Sequence, residues 1–282
     1  MTDRRGLRAA AALAGAIVLA VVLGPLVWRV PPDALHLAAR GQGASFAHPL
    51  GTDHLGRDLL ARLLAGGRVS LAVAGAAMAL SLGLGTLIGV LAGWLRWLDG
   101  PLMRLTDLLL ALPLLPLLLV AAMLFRAPLT AALGPEAGVF VLLVLAIGAT
   151  SWMPTARVLR AEVLSLRERD FIAAARASGT GGVRMLTRHV LPHLAAPMLV
   201  SVTLGMSAAI VTESALSFLG LGFPPDFASW GRLLAEGTEH LGQTPGRALW
   251  PGAAISATVL AVTWLGDGLS RALDVRSTGR AV

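Results

Sequence analysis

Carboxylate and imidazole side chains come together at one place in the sequence, the segment 48–58 (HPLGTDHLGRD). Asp53, His54 and Asp58 are of the types that bind divalent metal ions. Two arginines lie close to Asp58 in the sequence, however, and a carboxylate beside guanidinium groups is expected to form ion pairs. The favoured interpretation is therefore turn capping with surface ion pairs, and we predict no metal, no cofactor and no catalytic residue here.

Two further carboxylates lie at the ends of apolar runs. Glu213 directly follows an uncharged run, and a carboxylate near membrane depth is costly unless it faces a cavity or a partner. Two interpretations of Glu213 stay open, a residue of a transport pathway or gate and a structural hydrogen-bond acceptor. Asp107, three residues after Arg104, is a weaker pathway candidate because this spacing favours an ion pair along a helix.

The composition places the chain in a lipid bilayer and removes several kinds of chemistry. Of the 282 residues 56% are hydrophobic and 14% are charged, whereas charged residues approach a quarter of a soluble domain. All 23 basic residues are arginines, so the chain has no lysine for a phosphate-binding loop and is not expected to hydrolyse ATP itself. The absence of cysteine excludes disulfides, thiolate nucleophiles and cysteine-ligated zinc.

Six uncharged runs predict an all-α, polytopic membrane protein with six transmembrane helices. At about 1.5 Å per residue each run can cross a hydrocarbon core of roughly 30 Å. The first run resembles a secretory signal, but its 20 residues exceed the usual apolar region of about 7–15, so we interpret it as a retained anchor. The six runs are 9–28, 69–95, 108–125, 137–156, 194–212 and 248–266.

The arginines predict the orientation of these spans. If the N-terminus is cytoplasmic, the inside segments carry 15 arginines and the outside segments carry 8. Because cytoplasmic loops are enriched in basic residues, both termini and the long segment 157–193 are expected in the cytoplasm.

The sequence divides into an N-terminal part, 1–68, and a transmembrane core, 69–282. The first part holds the anchor helix and an extracytoplasmic loop rich in glycine and proline. Leucines at helical spacing near the end of this loop predict an amphipathic helix at the membrane interface. These are Leu55, Leu59, Leu60, Leu63 and Leu64.

The segment 157–193 predicts two helices joined at a glycine. The alanines before Gly179 favour a helix that ends there, and Thr180 can cap a second helix that Pro192 would end. A small, alanine-rich helical surface fits a groove in another protein. We therefore expect this segment to protrude from the membrane and to bind a partner.

Four segments resemble the permease subunits of ATP-binding-cassette (ABC) importers, specifically the dipeptide, oligopeptide and nickel branch. They are 48–58, 171–192, 213–222 with 229–231, and 265–269 with Leu273-Asp274. The cytoplasmic signature of this family is Glu-Ala-Ala, three residues, Gly, nine residues, then Ile-x-Leu-Pro. The chain keeps the spacing of this signature, with Ala173 in place of the glutamate and His189 in place of the isoleucine.

The resemblance implies that this multi-pass chain lies in a bacterial inner membrane and has a set of partners there. A second homologous permease, two cytoplasmic ABC ATPases and an extracytoplasmic substrate-binding protein would act with it on peptides, nickel or another small solute. It implies that the segment 157–193 is a coupling segment, which docks on an ATPase through Ala173, Ala174, Ala175, Arg176, Gly179, Leu191 and Pro192. It also marks a signature loop formed by Gly51, Thr52, Asp53, Gly56, Arg57 and Asp58.

Two other functions are alternatives to the one that this resemblance implies. A secondary, ion-coupled transporter would show inverted repeats and charged groups at the membrane midplane, and would not need a two-helix cytoplasmic segment. An intramembrane protease would need paired aspartates, or a serine with a histidine, at membrane depth. The six apolar runs contain no histidine, and Asp267 lies only at the end of the last run.

Single cysteines test the predicted orientation, because the natural chain contains none. We expect a membrane-impermeant maleimide to label Ala44→Cys in intact cells and to label Ser178→Cys only after the inner membrane is opened. Labelling of both positions in intact cells would contradict the arginine-based orientation.

Overall fold

The structure, a computed structural model, describes the backbone of residues 3–278 and the side chains of residues 6–272. Arg280 lies outside the described residues, as do the side chains of Arg4, Arg5, Leu273, Asp274 and Arg276, which entered the predictions above. Ten α-helices form the described chain: α1 Asp3–Val27, α2 Leu59–Trp94, α3 Arg96–Ala111, α4 Leu114–Leu133, α5 Pro135–Arg167, α6 Asp170–Ala177, α7 Gly182–Met185, α8 Leu191–Phe218, α9 Trp230–Thr238 and α10 Gly246–Thr278.

Six of the helical stretches in the described chain are long and apolar enough to cross a membrane, which confirms the predicted number. They are Gly6–Val27, Leu59–Trp94, Leu114–Leu133, Pro135–Arg167, Gly182–Phe218 and Gly246–Ala272. Within residues 3–278 there is no β-strand, only one isolated antiparallel bridge between Thr52 and Asp58. The all-α class is therefore confirmed as well.

The third span does not have the predicted bounds of 108–125. α3 ends at Ala111, and α4 begins three residues later at Leu114. Between them Leu112 is extended, with φ −74° and ψ 135°. Pro113 explains the break, because a proline lacks an N–H and disfavours the helical conformation of the residue before it.

The second span begins ten residues earlier than predicted, at Leu59. The leucines assigned to a separate interfacial helix over 55–64 largely form the first turns of α2 instead. Asp58 caps this helix by accepting a hydrogen bond of 2.7 Å from the Ala61 N–H. Gly66 and Gly67 do not interrupt the helix, and their bare backbone lies directly against Ser229 and Trp230.

α2 and α5 form the most extensive helix contact in the bundle. A Cβ atom added at Gly85, Gly89 or Gly93 would lie less than 3.0 Å from atoms of α5, so only glycine permits the observed approach. In lipid, such close packing of small residues replaces the hydrophobic effect that drives helix association in water.

Polar contacts show which of the segments between the helices lie at the same end of the bundle. Arg62 at the start of α2 contacts Glu236 of α9, so the loops 28–58 and 219–245 lie at one end. Arg160 near the end of α5 pairs with Asp99 of α3, so α3 and the segment 168–190 lie at the other. We refer to these as the α9 end and the 168–190 end.

The α2–α5 contact predicts opposite effects of two glycine substitutions in α2. In Gly89→Ala the new Cβ would lie 2.5 Å from the Ala156 carbonyl oxygen, which belongs to the backbone and cannot turn away. We expect overpacking of this kind to cost about 1–3 kcal/mol and to lower the thermal unfolding midpoint of the purified protein. Gly83→Ala is the matched control, since nothing lies within 4 Å of its Cβ position and alanine favours the helix. Equal midpoints for the two variants would contradict the described contact.

Candidate functional site

A glycine corner shapes the segment 168–190. The Gly179 backbone has φ +79°, a left-handed conformation that side chains with a Cβ resist. The Gly179 N–H donates to the Arg176 carbonyl at 3.0 Å, and the Thr180 N–H donates to the Ala175 carbonyl at 3.1 Å. This pair of hydrogen bonds is the Schellman arrangement, which closes the end of α6 as the sequence predicts.

The second half of the segment differs from the prediction. Gly181, not Thr180, occupies the cap position before α7, and it makes no side-chain cap hydrogen bond. Pro192 does not end this helix: a π-helical turn over Leu186–Val190 leads directly into α8. The proline is tolerated because the π-helical turn before it changes the local hydrogen-bond pattern, so that carbonyl groups left without the missing N–H can find other donors.

The segment turns an apolar face toward the bundle and a small-residue face toward the surroundings. Ile172, Met185 and Val190 are buried in one cluster with Leu159 and Val163 of α5. Among the residues proposed for docking, Ala175 and Leu191 are half-buried. The others are exposed: Ala173, Ala174, Arg176, Gly179 and Pro192.

At the α9 end, Asp53 lies at the centre of a buried ion-pair network. Its Oδ1 atom accepts hydrogen bonds from the backbone N–H groups of Leu55 at 2.8 Å and Arg57 at 2.9 Å. Its Oδ2 atom accepts from Arg57 Nε at 2.6 Å and Arg62 Nη1 at 3.0 Å. Burial alone would raise the pKa of Asp53, but the Arg57 side chain and these backbone N–H groups outweigh it and hold the pKa below its ordinary 3.8.

Glu236 of α9 completes this network. Its Oε2 atom accepts from Arg62 Nη1 at 2.8 Å, and its Oε1 atom accepts from Arg232 Nε at 3.0 Å. Sequence reasoning missed Glu236, and the only local signal is its position four residues after Arg232. The expectation of surface ion pairs is wrong, since Asp53, Arg57 and Arg62 are at most 3% exposed.

Asp58 and the glycines fix the shape of the signature loop. Besides capping α2, Asp58 accepts a hydrogen bond from Trp28 Nε1 at 3.0 Å and lies 2.8 Å from His48 Nδ1. Gly56 has φ +76°, and a Cβ atom there would lie 1.8 Å from the His36 carbonyl oxygen. Within the described residues, no group of three or more histidine, aspartate or glutamate side chains is arranged to hold a metal ion.

Thr52 and Gly51 connect this loop to the preceding one. The Thr52 hydroxyl donates to the Ala39 carbonyl at 2.5 Å and accepts from the Gln42 N–H at 2.9 Å. Gly51 has φ +82° and lies against the Gln42 backbone. All six residues of the signature loop therefore take part in one folded unit.

Glu213 is fully buried where α2, α8 and α9 meet. Its carboxylate accepts hydrogen bonds from Ser70 at 2.9 Å and from Ser217 at 2.8 Å. Ser70 in turn accepts from the backbone N–H of Trp230 at 3.1 Å. This arrangement favours the structural interpretation of Glu213, and its role in a pathway or gate stays a prediction.

Asp107 lies at the 168–190 end and pairs with Arg157 of α5, not with Arg104 as predicted. The side chains of both partners are half exposed or more, at 59% for Asp107 and 50% for Arg157. Such a pair contributes little to stability. Its place on the surface between α3 and α5 is distinct from the buried site of Glu213.

A comparison with protein families decides among the functions considered. The model described as "Binding-protein-dependent transport system inner membrane component" matches residues 85–278. The chain belongs to this family. It is a permease subunit of an ABC importer and a multi-pass protein of the inner membrane, which confirms the resemblance found in the sequence.

Individual relatives agree with this assignment. The permease is 39% identical over 274 residues to a Brucella suis protein named "Putative peptide transport system permease protein", covering 97% of this chain and 88% of the relative. It is 35% identical over 258 residues to the dipeptide transport system permease protein DppC of Alkalihalophilus pseudofirmus, covering 91% and 81%. An inward-facing structure of the MetNI methionine ABC transporter shares the fold, with a TM-score of 0.56, 18% identity and coverage of 74% of this chain and 95% of that chain.

The permease also contains a cavity that sequence reasoning missed. It has a volume of about 400 Å³ and lies between α3, α4, α5 and α8. Its walls carry the polar side chains of Thr150, Ser151, Thr155 and Ser201, together with leucines and Pro154. None of the residues lining it is charged, so no charge pattern in the sequence could have indicated it.

The buried position of Asp53 predicts a large effect of Asp53→Asn. Removing one partner of a buried ion pair leaves the guanidinium groups of Arg57 and Arg62 with less compensation, at a cost of about 3–5 kcal/mol. We expect a lower thermal unfolding midpoint for the purified permease. Because folding lowers the pKa of Asp53, its charged form adds stability above pH 3.8 that is lost as the pH falls through the folded value. The variant should lack this part of the acid destabilisation.

Asp33→Asn is the matched control, because Asp33 is exposed in the same loop region. We expect its midpoint at neutral pH to equal that of the natural chain. An equal loss of stability in both variants would show that the total charge of the loop matters and not the buried pair.

Proposed function

We propose that this permease forms, together with a second homologous permease, the translocation pathway of an ATP-driven importer of peptides. Two separate cytoplasmic ABC ATPases would hydrolyse ATP, and an extracytoplasmic binding protein would deliver the substrate. The relatives at 39% and 35% identity carry peptide or dipeptide in their names, which favours peptides over nickel. The absence of lysine supports the assignment of ATP hydrolysis to other chains.

The observation that carries this proposal is the exposed small-residue surface of the segment 168–190. Ala173 and Ala174 are exposed, and Val183 in α7 is 79% exposed. Small side chains let a helix enter a groove closely, as in other helix-in-groove complexes. We infer that this surface docks into a cleft of a cytoplasmic ATPase.

The opposite face of the segment supplies the mechanical link to the bundle. Ile172 and Met185 are buried against α5, and Val190 leads through the π turn into α8. A displacement of the docked segment would therefore act on α5 and α8 together. These two helices also line the 400 Å³ cavity, which we propose as this chain's share of the pathway.

The walls of the cavity suit a substrate whose charges vary. Thr150, Ser151 and Ser201 offer hydroxyl groups that can donate or accept hydrogen bonds, and the remaining surface is mostly apolar. An uncharged wall neither attracts nor repels a particular side chain of a peptide. Selection of the substrate would then rest mainly with the binding protein.

Gly179→Val tests the docking proposal. No heavy atom lies within 4 Å of the added Cβ, so the change acts through the backbone, where a left-handed conformation costs about 1–2 kcal/mol for a residue with a Cβ. We expect the corner to change shape while the bundle inserts at normal levels. The tagged permease should then no longer co-purify with its ATPase, and uptake of a labelled dipeptide should fall by roughly tenfold, the factor that corresponds to about 1.4 kcal/mol.

Gly181→Val is the matched control, two residues away. Gly181 also has open space around its Cβ position, but its φ of −65° and ψ of 153° suit any residue. This variant should keep both the ATPase and the uptake. If Gly179→Val also kept its ATPase and its uptake, the docking proposal would be overturned. If Gly179→Val instead lost uptake of labelled nickel while its dipeptide uptake stayed intact, the assignment of peptides as the substrate class would be overturned.

A further inference from the structure

An apolar cluster lies between the 400 Å³ cavity and the α9 end of the bundle. α5 runs away from that end, and its buried cluster residues lie within 139–147, before the residues within 150–158 that line the cavity. α8 runs toward that end, and its buried cluster residues lie within 209–216, after the residues within 201–208 that line the cavity. Buried side chains therefore close the cavity toward the α9 end.

The turn that follows α8 contributes to this closure. Phe223 in this turn is 3% exposed and belongs to the apolar cluster. Gly220 has φ +80°, and its N–H donates to the Ser217 carbonyl at 3.1 Å. The Leu221 N–H donates to the Leu216 carbonyl at 2.9 Å. These two hydrogen bonds are again the Schellman arrangement, so the turn is fixed to the end of α8.

The side chain of Arg126 joins α4 to this turn. Its Nη1 atom donates to the Gly220 carbonyl at 3.1 Å, and its Nη2 atom donates to the Gly222 carbonyl at 3.1 Å. Carbonyl groups at the end of a helix carry partial negative charge, which favours a guanidinium group there. Among the described residues no carboxylate lies within 4.0 Å of the Arg126 guanidinium group. The two carbonyls therefore set its position.

Opening of the cavity toward the α9 end would require α4 to separate from the turn, because both contribute to the closure. α4 supplies Leu118 to the apolar cluster, and the turn supplies Phe223. Apolar contacts are not directional, so by themselves they permit the two parts to slide. The hydrogen bonds of Arg126 are directional and charge-assisted, and they form only in one relative position of α4 and the turn.

We propose that Arg126 is a positioning residue of the transport cycle, which holds α4 against the turn after α8 and keeps the cavity closed toward the α9 end. Its two hydrogen bonds break when the cavity opens toward that end. This inference rests on the proposed function, in which the cavity belongs to the pathway and the α9 end faces outward.

External labelling of a cysteine in the cavity tests this role. Ser201→Cys lines the cavity on α8 and is introduced into the natural chain and into Arg126→Gln, both in the complete importer in spheroplasts. A small, membrane-impermeant thiol reagent reaches this cysteine from outside only while the cavity is open toward the α9 end. Because Arg126→Gln loses the charge-assisted hydrogen bonds, we expect labelling to become about tenfold faster, which corresponds to about 1.4 kcal/mol.

Two controls separate this role from a general effect of the substitution. Arg40→Gln removes the same charge from an exposed position at the same end of the bundle, and it should leave the labelling rate of Ser201→Cys unchanged. Ser81→Cys reports general loosening of the bundle, because Ser81 is 2% exposed in α2 and does not line the cavity. It should stay unlabelled in Arg126→Gln.

Three labelling results would overturn the role of Arg126. They are an unchanged rate for Ser201→Cys in Arg126→Gln, an equal increase in Arg40→Gln, and labelling of Ser81→Cys in Arg126→Gln. Uptake of a labelled dipeptide by cells with the natural importer tests the proposed function separately. Absence of this uptake would overturn the function on which the inference rests, whereas normal uptake with an unchanged labelling rate would overturn the role of Arg126 alone.

Discussion

The hydrogen bonds of the Glu213 carboxylate are the interactions on which the arrangement of the helices most depends. It lies fully buried in a span, where a charged or polar group has no water to bind, so its oxygens must be satisfied by the protein. Ser70 and Ser217 provide the two hydroxyl donors, and Ser70 also accepts a hydrogen bond from the N–H of Trp230. Ser217 lies one turn from Glu213 on α8, whereas Ser70 of α2 connects Glu213 to the first residue of α9. A group inside the spans therefore helps to position α9 outside them.

Close backbone packing extends this fixed region along the bundle. The glycines of α2 that face α5 allow contacts that any side chain would prevent, and Gly66 and Gly67 do the same toward α9. Gly231 in turn lies 2.6 Å from the Ser214 Cα, measured from its ideal Cβ position, next to Glu213. Small residues and the buried carboxylate therefore act together, since the serine hydroxyls reach Glu213 only when the backbones approach closely.

How much of the structure could be predicted from the sequence depends on how far apart along the chain the interacting residues lie. Apolar runs gave the six spans, and the left-handed corner at Gly179 follows from local backbone preference. The partners of the buried charges could not be found in this way. Glu236 lies 174 residues from Arg62, and Ser70 lies 143 residues from Glu213, so no spacing rule connects them. The break at Leu112 was not predicted from hydropathy, because the apolar run continues across it although Pro113 disfavours a helical conformation of Leu112.

The two ends of the bundle are held by different kinds of interaction, and this difference suits a coupled transporter. Directional ion pairs and hydrogen bonds fix the α9 end to α2, whereas apolar contacts hold the segment 168–190. Among the described residues no ion pair or side-chain hydrogen bond links that segment to α2 or α5. Apolar contacts are not directional, so they permit small displacements without breaking a specific bond. Arg167 instead ties the end of α5 to the Gly93 carbonyl of α2 at 2.8 Å. A displacement of the segment would therefore act on α2 through α5, at the opposite end of the bundle from the ion pairs of Arg62 with Asp53 and Glu236.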